Sequence, residues 1–176
     1  MKRIMALALA MVLLMASAAA LAEAFTPITV DGDDYGNYLN NLDTCIGSIN
    51  DMELDTGETC SFNAAVGERT EARGYRAAPN GRGVEVIGGG VAQVATTIYL
   101  AIKNMDDMEV LEKSTYGSDF CENYVAREQD AVQTDYRQAM DFRFVNRGAS
   151  VKINIWRDDS NIYCSLSELD DTGDEQ

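Results

Sequence analysis

The chain has 176 residues, 46% of them hydrophobic, and its 29 acidic residues outnumber 14 basic ones to give a net charge of −15. This length is sufficient for one domain with a buried core, and the negative charge argues against binding to nucleic acid or anionic lipid surfaces. The chain has no histidine and no closely spaced cysteine pair, so the sequence predicts neither a metal site nor a cofactor.

Residues 1–24 are typical of a secretory signal peptide. Lys2 and Arg3 give the positive start, residues 4–15 form an apolar core, and small residues at positions 20, 22 and 24 offer two cleavage sites. The core is shorter than the roughly 20 residues that a membrane helix needs, although an uncleaved anchor is the alternative. We expect an exported protein without a membrane span after cleavage, with one domain at residues 25–168 and an acidic tail at 169–176.

Two amphipathic helices are predicted from apolar residues at three- and four-residue spacing. The first covers about residues 35–50. The second follows the glycine run at residues 88–90 and extends from Val91 to Met105. Thr96 and Thr97 are poor helix formers, so burial must stabilise this second helix.

Short strands are predicted around these helices. Residues 60–62 and 84–87 form two of them, separated by an expected loop at 67–83, and residues 108–113 form a third. Apolar residues then alternate as in antiparallel strands, with Trp156 expected in the core. These runs are Met140, Phe142 and Phe144; Val151, Ile153 and Ile155; and Ile162, Cys164 and Leu166. The sequence therefore predicts a single-domain α+β fold with two helices packed on a mostly antiparallel sheet.

The glycine run and the helix after it resemble the signature of the VanW family, cell-envelope proteins named for a component of a vancomycin-resistance cluster. The family reads Gly-Gly-Gly-Ile/Val-Cys-Gln-Val/Leu-Ser-Thr-Thr-Leu-Tyr, and here Ala92 and Ala95 stand at the cysteine and serine positions. Other matching blocks are Gly57–Asn63, Val66–Thr70, Asp130-Ala131 and Asp141–Asn146. The resemblance covers most of the chain after the leader and implies a secreted or envelope-associated bacterial protein.

The resemblance also bears on catalysis. A family cysteine at the start of a helix, a histidine after the strand matched by residues 108–113, and an aspartate matched by Asp130 would suit a nucleophilic triad. In this chain Ala92 replaces the cysteine, residues 114–117 replace the histidine-bearing stretch, and Asp130 alone remains. This implies a non-catalytic protein. The alternative is an enzyme that modifies wall peptides through an unrecognised nucleophile such as Thr96 or Thr97.

Several residues near the glycine run are predicted to bind rather than react. Gly88, Gly89 and Gly90, with the amides of Val91 and Ala92, would form an anion-accepting nest. Gln93, Thr96 and Asp130 would hydrogen-bond a peptide or its carboxylate, and the partner would be peptidoglycan or an envelope protein. In the competing interpretation the glycines only permit a tight turn that Gln93 caps, and Asp130 is a turn residue. A third hypothesis is a structural or secreted effector protein in which the ancestral pocket of the family is filled.

Four cysteines in an exported chain suggest two disulfides, and the sequence allows three pairings. Cys60 stands where the family has a phenylalanine, and Cys45 lies on the apolar face of the preceding predicted helix. That proximity favours Cys45–Cys60, which leaves Cys121–Cys164. Free thiols are the alternative.

Overall fold

The computed structural model describes residues 20–121 and 124–169. Residues 1–19 of the predicted leader and 170–176 of the predicted tail lie outside the described residues. The α+β fold predicted from the sequence is confirmed, since three helices pack with antiparallel sheets. None of the helices in the described part of the chain is long and apolar enough to cross a membrane.

The three helices differ in how much of their surface is buried. Helix α1 (Tyr35–Ile49) and helix α3 (Val91–Ile102) are the two predicted ones, and α3 ends three residues before the predicted Met105. Ten residues of α3 are buried, which explains how a helix with Thr96 and Thr97 is stable. The short helix α2 (Phe62–Val66) was not predicted, and the Ser61 side chain caps it by accepting a hydrogen bond from the Ala64 amide.

The strands form two four-stranded antiparallel sheets and a separate hairpin. The first sheet has the order β1-β10-β9-β2, with β1 at Ala20–Pro27, β2 at Met52–Leu54, β9 at Val151–Arg157 and β10 at Asn161–Glu168. The second has the order β3-β8-β6-β7, with β3 at Thr59–Ser61, β6 at Met108–Thr115, β7 at Val132–Gln133 and β8 at Phe142–Asn146. The hairpin joins β4 (Ala77–Pro79) to β5 (Glu85–Ile87).

Helix α3 lies at the centre of the molecule, in contact with β1 and β10 of the first sheet and β7 of the second. Helix α1 packs against α3 and β4. One core cluster therefore includes side chains from both sheets and both long helices, among them Leu42, Ile98, Phe144 and Ile155. This arrangement places the first turn of α3 beside the β4–β5 hairpin.

Several sequence expectations need correction. Phe62 begins a helix instead of ending a strand, and β4 lies inside the stretch expected to be a loop. Trp156 was expected in the core but is 46% exposed. It points outward from β9 because the inward positions of that strand belong to Val151, Ile153 and Ile155, and its ring stacks on Tyr163 of β10 with 5.4 Å between ring centroids.

Candidate functional site

The glycine run makes a turn that only glycine can make between β5 and α3. A Cβ atom on Gly89 would lie 2.0 Å from the backbone oxygen of Ala78 in β4. Gly88 and Gly90 have φ angles of +82° and +97°, which side chains rarely adopt. Ala92 follows as the second residue of α3, so the predicted place of Ala92 at the first turn of a helix is confirmed.

A cleft of about 750 Å³ opens beside this turn. Gly88, Gly90, Val91 and Ala92 form one wall, and the hairpin residues Val86 and Ile87 add apolar surface. The charged lining within the described residues is balanced, because three arginines face three carboxylates: Arg69, Arg82 and Arg137 against Glu68, Glu71 and Asp135. In a protein of net charge −15 this cleft is a local region without excess negative charge.

Ala92 and Tyr116 meet at the floor of the cleft. They form a small buried cluster with Ala131, separate from the main core. The Tyr116 ring packs on Gly81, where a Cβ would lie 2.6 Å from the ring, and the guanidinium of Arg82 lies 5.3 Å from the ring centroid. Burial raises the pKa of Tyr116 even though a backbone hydrogen bond at Gly81 and the charge of Arg82 act to lower it. The fold thus brings Ala92, at the position that the VanW resemblance matches to a cysteine, next to Tyr116 of residues 114–117, which the resemblance matches to a histidine-bearing stretch.

Gln93 lies away from the cleft and is held inside the protein. It accepts a hydrogen bond of 2.6 Å from the Tyr38 hydroxyl, and its Nε2 donates to Thr26 Oγ1 at 3.0 Å and to the Pro27 carbonyl at 2.8 Å. Gly90, not the Gln93 side chain, caps α3. The polar atoms of Gln93 therefore tie α3 to β1, and its predicted ligand contact stays a prediction.

Thr96 and Asp130 also make internal contacts. The Thr96 hydroxyl donates to the Ala92 carbonyl at 2.9 Å and accepts from the Val132 amide at 2.9 Å. Asp130 pairs with Lys103 at 2.9 Å and with Arg127 at 3.0 Å. Burial would raise the pKa of Asp130, but the hydrogen bonds from the two cations outweigh it and lower the pKa. Neither residue lines the cleft.

Three asparagines of α1 were not singled out from the sequence. Asn37, Asn40 and Asn41 share one helix face and donate to the backbone carbonyls of Ala77, Gly74 and Arg76 respectively. Asn41, which is fully buried, also donates to the Gly89 carbonyl at 2.9 Å and accepts from the Arg76 amide at 2.7 Å. This asparagine row fixes β4 and the glycine turn against α1. Its i, i+3, i+4 spacing was the available signal.

The four cysteines all lie within the described residues and are free thiols, so neither predicted disulfide forms in the structure. Cys164 faces the core in the middle of β10, whereas Cys121 is exposed in the loop next to Gly81. Cys45 and Cys60 are buried on separate elements, α1 and β3. Burial raises the pKa of Cys45, Cys60 and Cys164 to about 12, so these thiols remain protonated. No three or more Cys, Asp or Glu side chains in the described ranges are grouped to hold a metal ion.

Comparison with known proteins gives the family of this chain. Residues 37–167 match the family model described as VanW like protein, so the chain belongs to the VanW-like family. It is also similar to a protein of Bacillus subtilis (strain 168) named Uncharacterized protein YoaR, with 28% identity over 133 residues. That match covers 68% of this chain and 43% of the relative, so the chain spans less than half of the relative's length. No solved structure matches this chain.

Proposed function

We propose that this chain is an exported cell-envelope domain that binds a short peptide of the peptidoglycan type in the cleft beside Ala92 and does not process it. The observation that carries the proposal is the open cleft of about 750 Å³ at the start of α3, with Ala92 and Tyr116 side by side on its floor. The cleft has the size of typical ligand pockets. Its hydroxyl, amide and charged groups suit a peptide, and VanW-like family membership supports an envelope role.

The side chains that could have served as a nucleophile or base are engaged elsewhere, which supports the non-catalytic part of the proposal. The Thr96 hydroxyl donates its only proton to the Ala92 carbonyl and accepts from the Val132 amide. Lys103 is paired with Asp130, and Lys113 Nζ donates to the Gln129 carbonyl. A triad acts as a unit, so the replacement of its cysteine and histidine removes the chemistry while leaving a place to bind.

The proposal is tested with muropeptides released from bacterial cell walls. The purified protein is titrated with them by calorimetry, and each mixture is analysed by mass spectrometry after long incubation. We expect saturable binding with recovery of unchanged peptides. If no muropeptide binds, the ligand assignment is wrong, and if a muropeptide is hydrolysed or transferred, the non-catalytic assignment is wrong.

Two valines of the β4–β5 hairpin region give a matched pair of variants that locates the site. Val86 is 37% exposed and lines the cleft, whereas Val84 is 54% exposed and does not. A tryptophan at either position adds the same bulk to an exposed site. Val86→Trp should weaken muropeptide binding at least about tenfold, which corresponds to roughly 1.4 kcal/mol, while Val84→Trp should leave it unchanged. Equal effects of the two variants would place binding outside the cleft.

A further inference from the structure

Arg69 differs from the other arginines that line the cleft because it pairs with no carboxylate in the described part of the chain. Within residues 20–121 and 124–169, no carboxylate oxygen lies within 4.0 Å of its side-chain nitrogens. Arg137, in contrast, pairs with Glu68 at 2.8 Å, and Arg82 pairs with Asp119 at 3.5 Å. A half-buried guanidinium loses hydration, and buried charges in proteins are normally compensated by a charge of opposite sign. Burial accordingly lowers the pKa of Arg69.

Neutral groups hold Arg69 in place. Its Nη1 donates to Asn63 Oδ1 at 2.7 Å, its Nη2 donates to Thr134 Oγ1 at 3.2 Å, and the guanidinium lies 5.7 Å from the centroid of the Phe62 ring. The glycine turn leaves room for the stem, because a Cβ on Gly88 would lie 2.6 Å from Arg69 Cβ. A guanidinium group has N–H donors to spare beyond these two bonds. Arg69 is therefore orientated before any ligand arrives.

The nearest carboxylates cannot easily turn to Arg69, because their oxygens already accept other hydrogen bonds. Asp141 accepts from the Ser61 hydroxyl and from the amides of Asn63 and Phe142. Asp135 accepts from the amides of Arg137 and Gln138 and from the side chain of Gln138. Both carboxylates contribute a favourable field at Arg69 without contacting it. Among the described residues no carboxylate therefore pairs with Arg69 directly, and a bound ligand can supply that contact.

We infer that Arg69 is the anchor for the terminal carboxylate of the peptide that occupies the cleft. This inference rests on the proposed function and specifies how the ligand is recognised. A carboxylate matches the planar fork of an arginine through two parallel hydrogen bonds. A singly charged carboxylate also matches one unpaired arginine better than a phosphate dianion does, since the other two arginines of the cleft are already paired.

The test uses a wall stem pentapeptide labelled at its amino end, prepared with its terminal carboxylate either free or amidated. Binding to the purified protein is measured by fluorescence anisotropy. We expect amidation to weaken binding at least about 30-fold, as is typical when one partner of a buried charge pair is removed. Equal affinity for the two forms would overturn the anchor role of Arg69 and leave the proposed function standing. Absence of binding by both forms would overturn the proposed function itself.

Variants of Arg69 complete a thermodynamic cycle. Arg69→Gln should weaken binding of the free acid by a similar factor and leave binding of the amide nearly unchanged. Arg69→Lys keeps the charge but loses the fork, so it should restore only part of the affinity. Arg147→Gln is the matched control, because Arg147 pairs with Glu109 at 2.8 Å and does not line the cleft, so binding of both peptide forms should stay unchanged. An equal loss for acid and amide in Arg69→Gln would reduce Arg69 to a structural role, and circular dichroism of each variant identifies a folding defect.

Discussion

The asparagine row gives the sharpest test of how the site is held together, through the substitution Asn41→Ala. Asn41 makes three hydrogen bonds to backbone groups, two to Arg76 and one to Gly89. The substitution removes all three at once and leaves the Gly89 carbonyl and the Arg76 amide with no replacement from the alanine, while the Arg76 carbonyl keeps its hydrogen bond from the Gly88 amide. Since α1 would then no longer hold β4 and the glycine turn, the stability of the whole domain should fall.

The expected magnitude follows from these bonds. Three hydrogen bonds at about 1 kcal/mol each, with a further cost because the Gly89 carbonyl and the Arg76 amide lose a partner, give roughly 3–4 kcal/mol. Alanine is a better helix former than asparagine and returns about 0.6 kcal/mol. The net loss of unfolding free energy should therefore be roughly 3 kcal/mol, which lowers the Tm by about 6–12 °C for a chain of this size.

Asn37→Ala is the matched control. Asn37 lies on the same helix face but is exposed, and it makes one hydrogen bond to the Ala77 carbonyl at 3.0 Å. The gain in helix propensity is the same as for Asn41, so the difference between the two variants isolates the buried contacts. Urea unfolding followed by circular dichroism measures both. A difference of less than about 0.5 kcal/mol would refute the reasoning, because it would mean that the buried bonds of Asn41 contribute no more than one exposed bond.

Three further predictions concern the turn, the acid and the floor of the cleft. Gly89→Ala should lower the unfolding free energy by about 2 kcal/mol or more. The control Gly47→Ala has open space around it on α1 and should raise the unfolding free energy by about 0.5–1 kcal/mol. Equal Tm values for the two variants would contradict the close approach at Gly89. Asp130 has a lowered pKa, so its stabilisation should be present above about pH 4 and disappear as the pH falls through its folded pKa. Asp130→Asn should then cost about 2 kcal/mol at pH 7 and progressively less as the pH falls through the folded pKa of Asp130. A pH-independent difference would count against the ion pairs. In a background that lacks the exposed Cys121, the thiol of Ala92→Cys should react with iodoacetamide faster than that of the buried control Ala95→Cys. An inert thiol at position 92 would argue against a former nucleophile site.

The fold was predictable where one face of an element is apolar. The apolar spacing of α1 and α3 and the alternation in β8, β9 and β10 were sufficient to predict an α+β fold. Strand β1 was not predicted, because residues 20–24 also fit the end of a signal peptide. Strand β4 was missed because Ala77-Ala78-Pro79 has no β-branched residue, and its position depends on contacts with asparagines more than 30 positions earlier in the chain.

The site was predictable only in part. The glycine run and the family pattern were sufficient to place Ala92 at a helix start beside a turn. They could not separate Gln93 and Thr96, which hydrogen-bond inside the protein, from residues that face the cleft, because α3 is buried on nearly every side. Arg69 belongs to a matching sequence block, but its significance depends on which side chains surround it in three dimensions. The spacing of residues along the sequence cannot show that no carboxylate among the described residues pairs with Arg69.

The three buried thiols allow the local opening of this domain to be measured by alkylation, without isotope labelling. Cys45 lies in α1, Cys60 in β3 of the second sheet and Cys164 in β10 of the first sheet. Each thiol can be alkylated only when its own layer opens, so its rate in the native protein reports the free energy of that local opening. The exposed Cys121 supplies the rate for an unprotected thiol. Mass spectrometry of the labelled peptides would then rank the helical layer and the two sheets by their free energies of local opening.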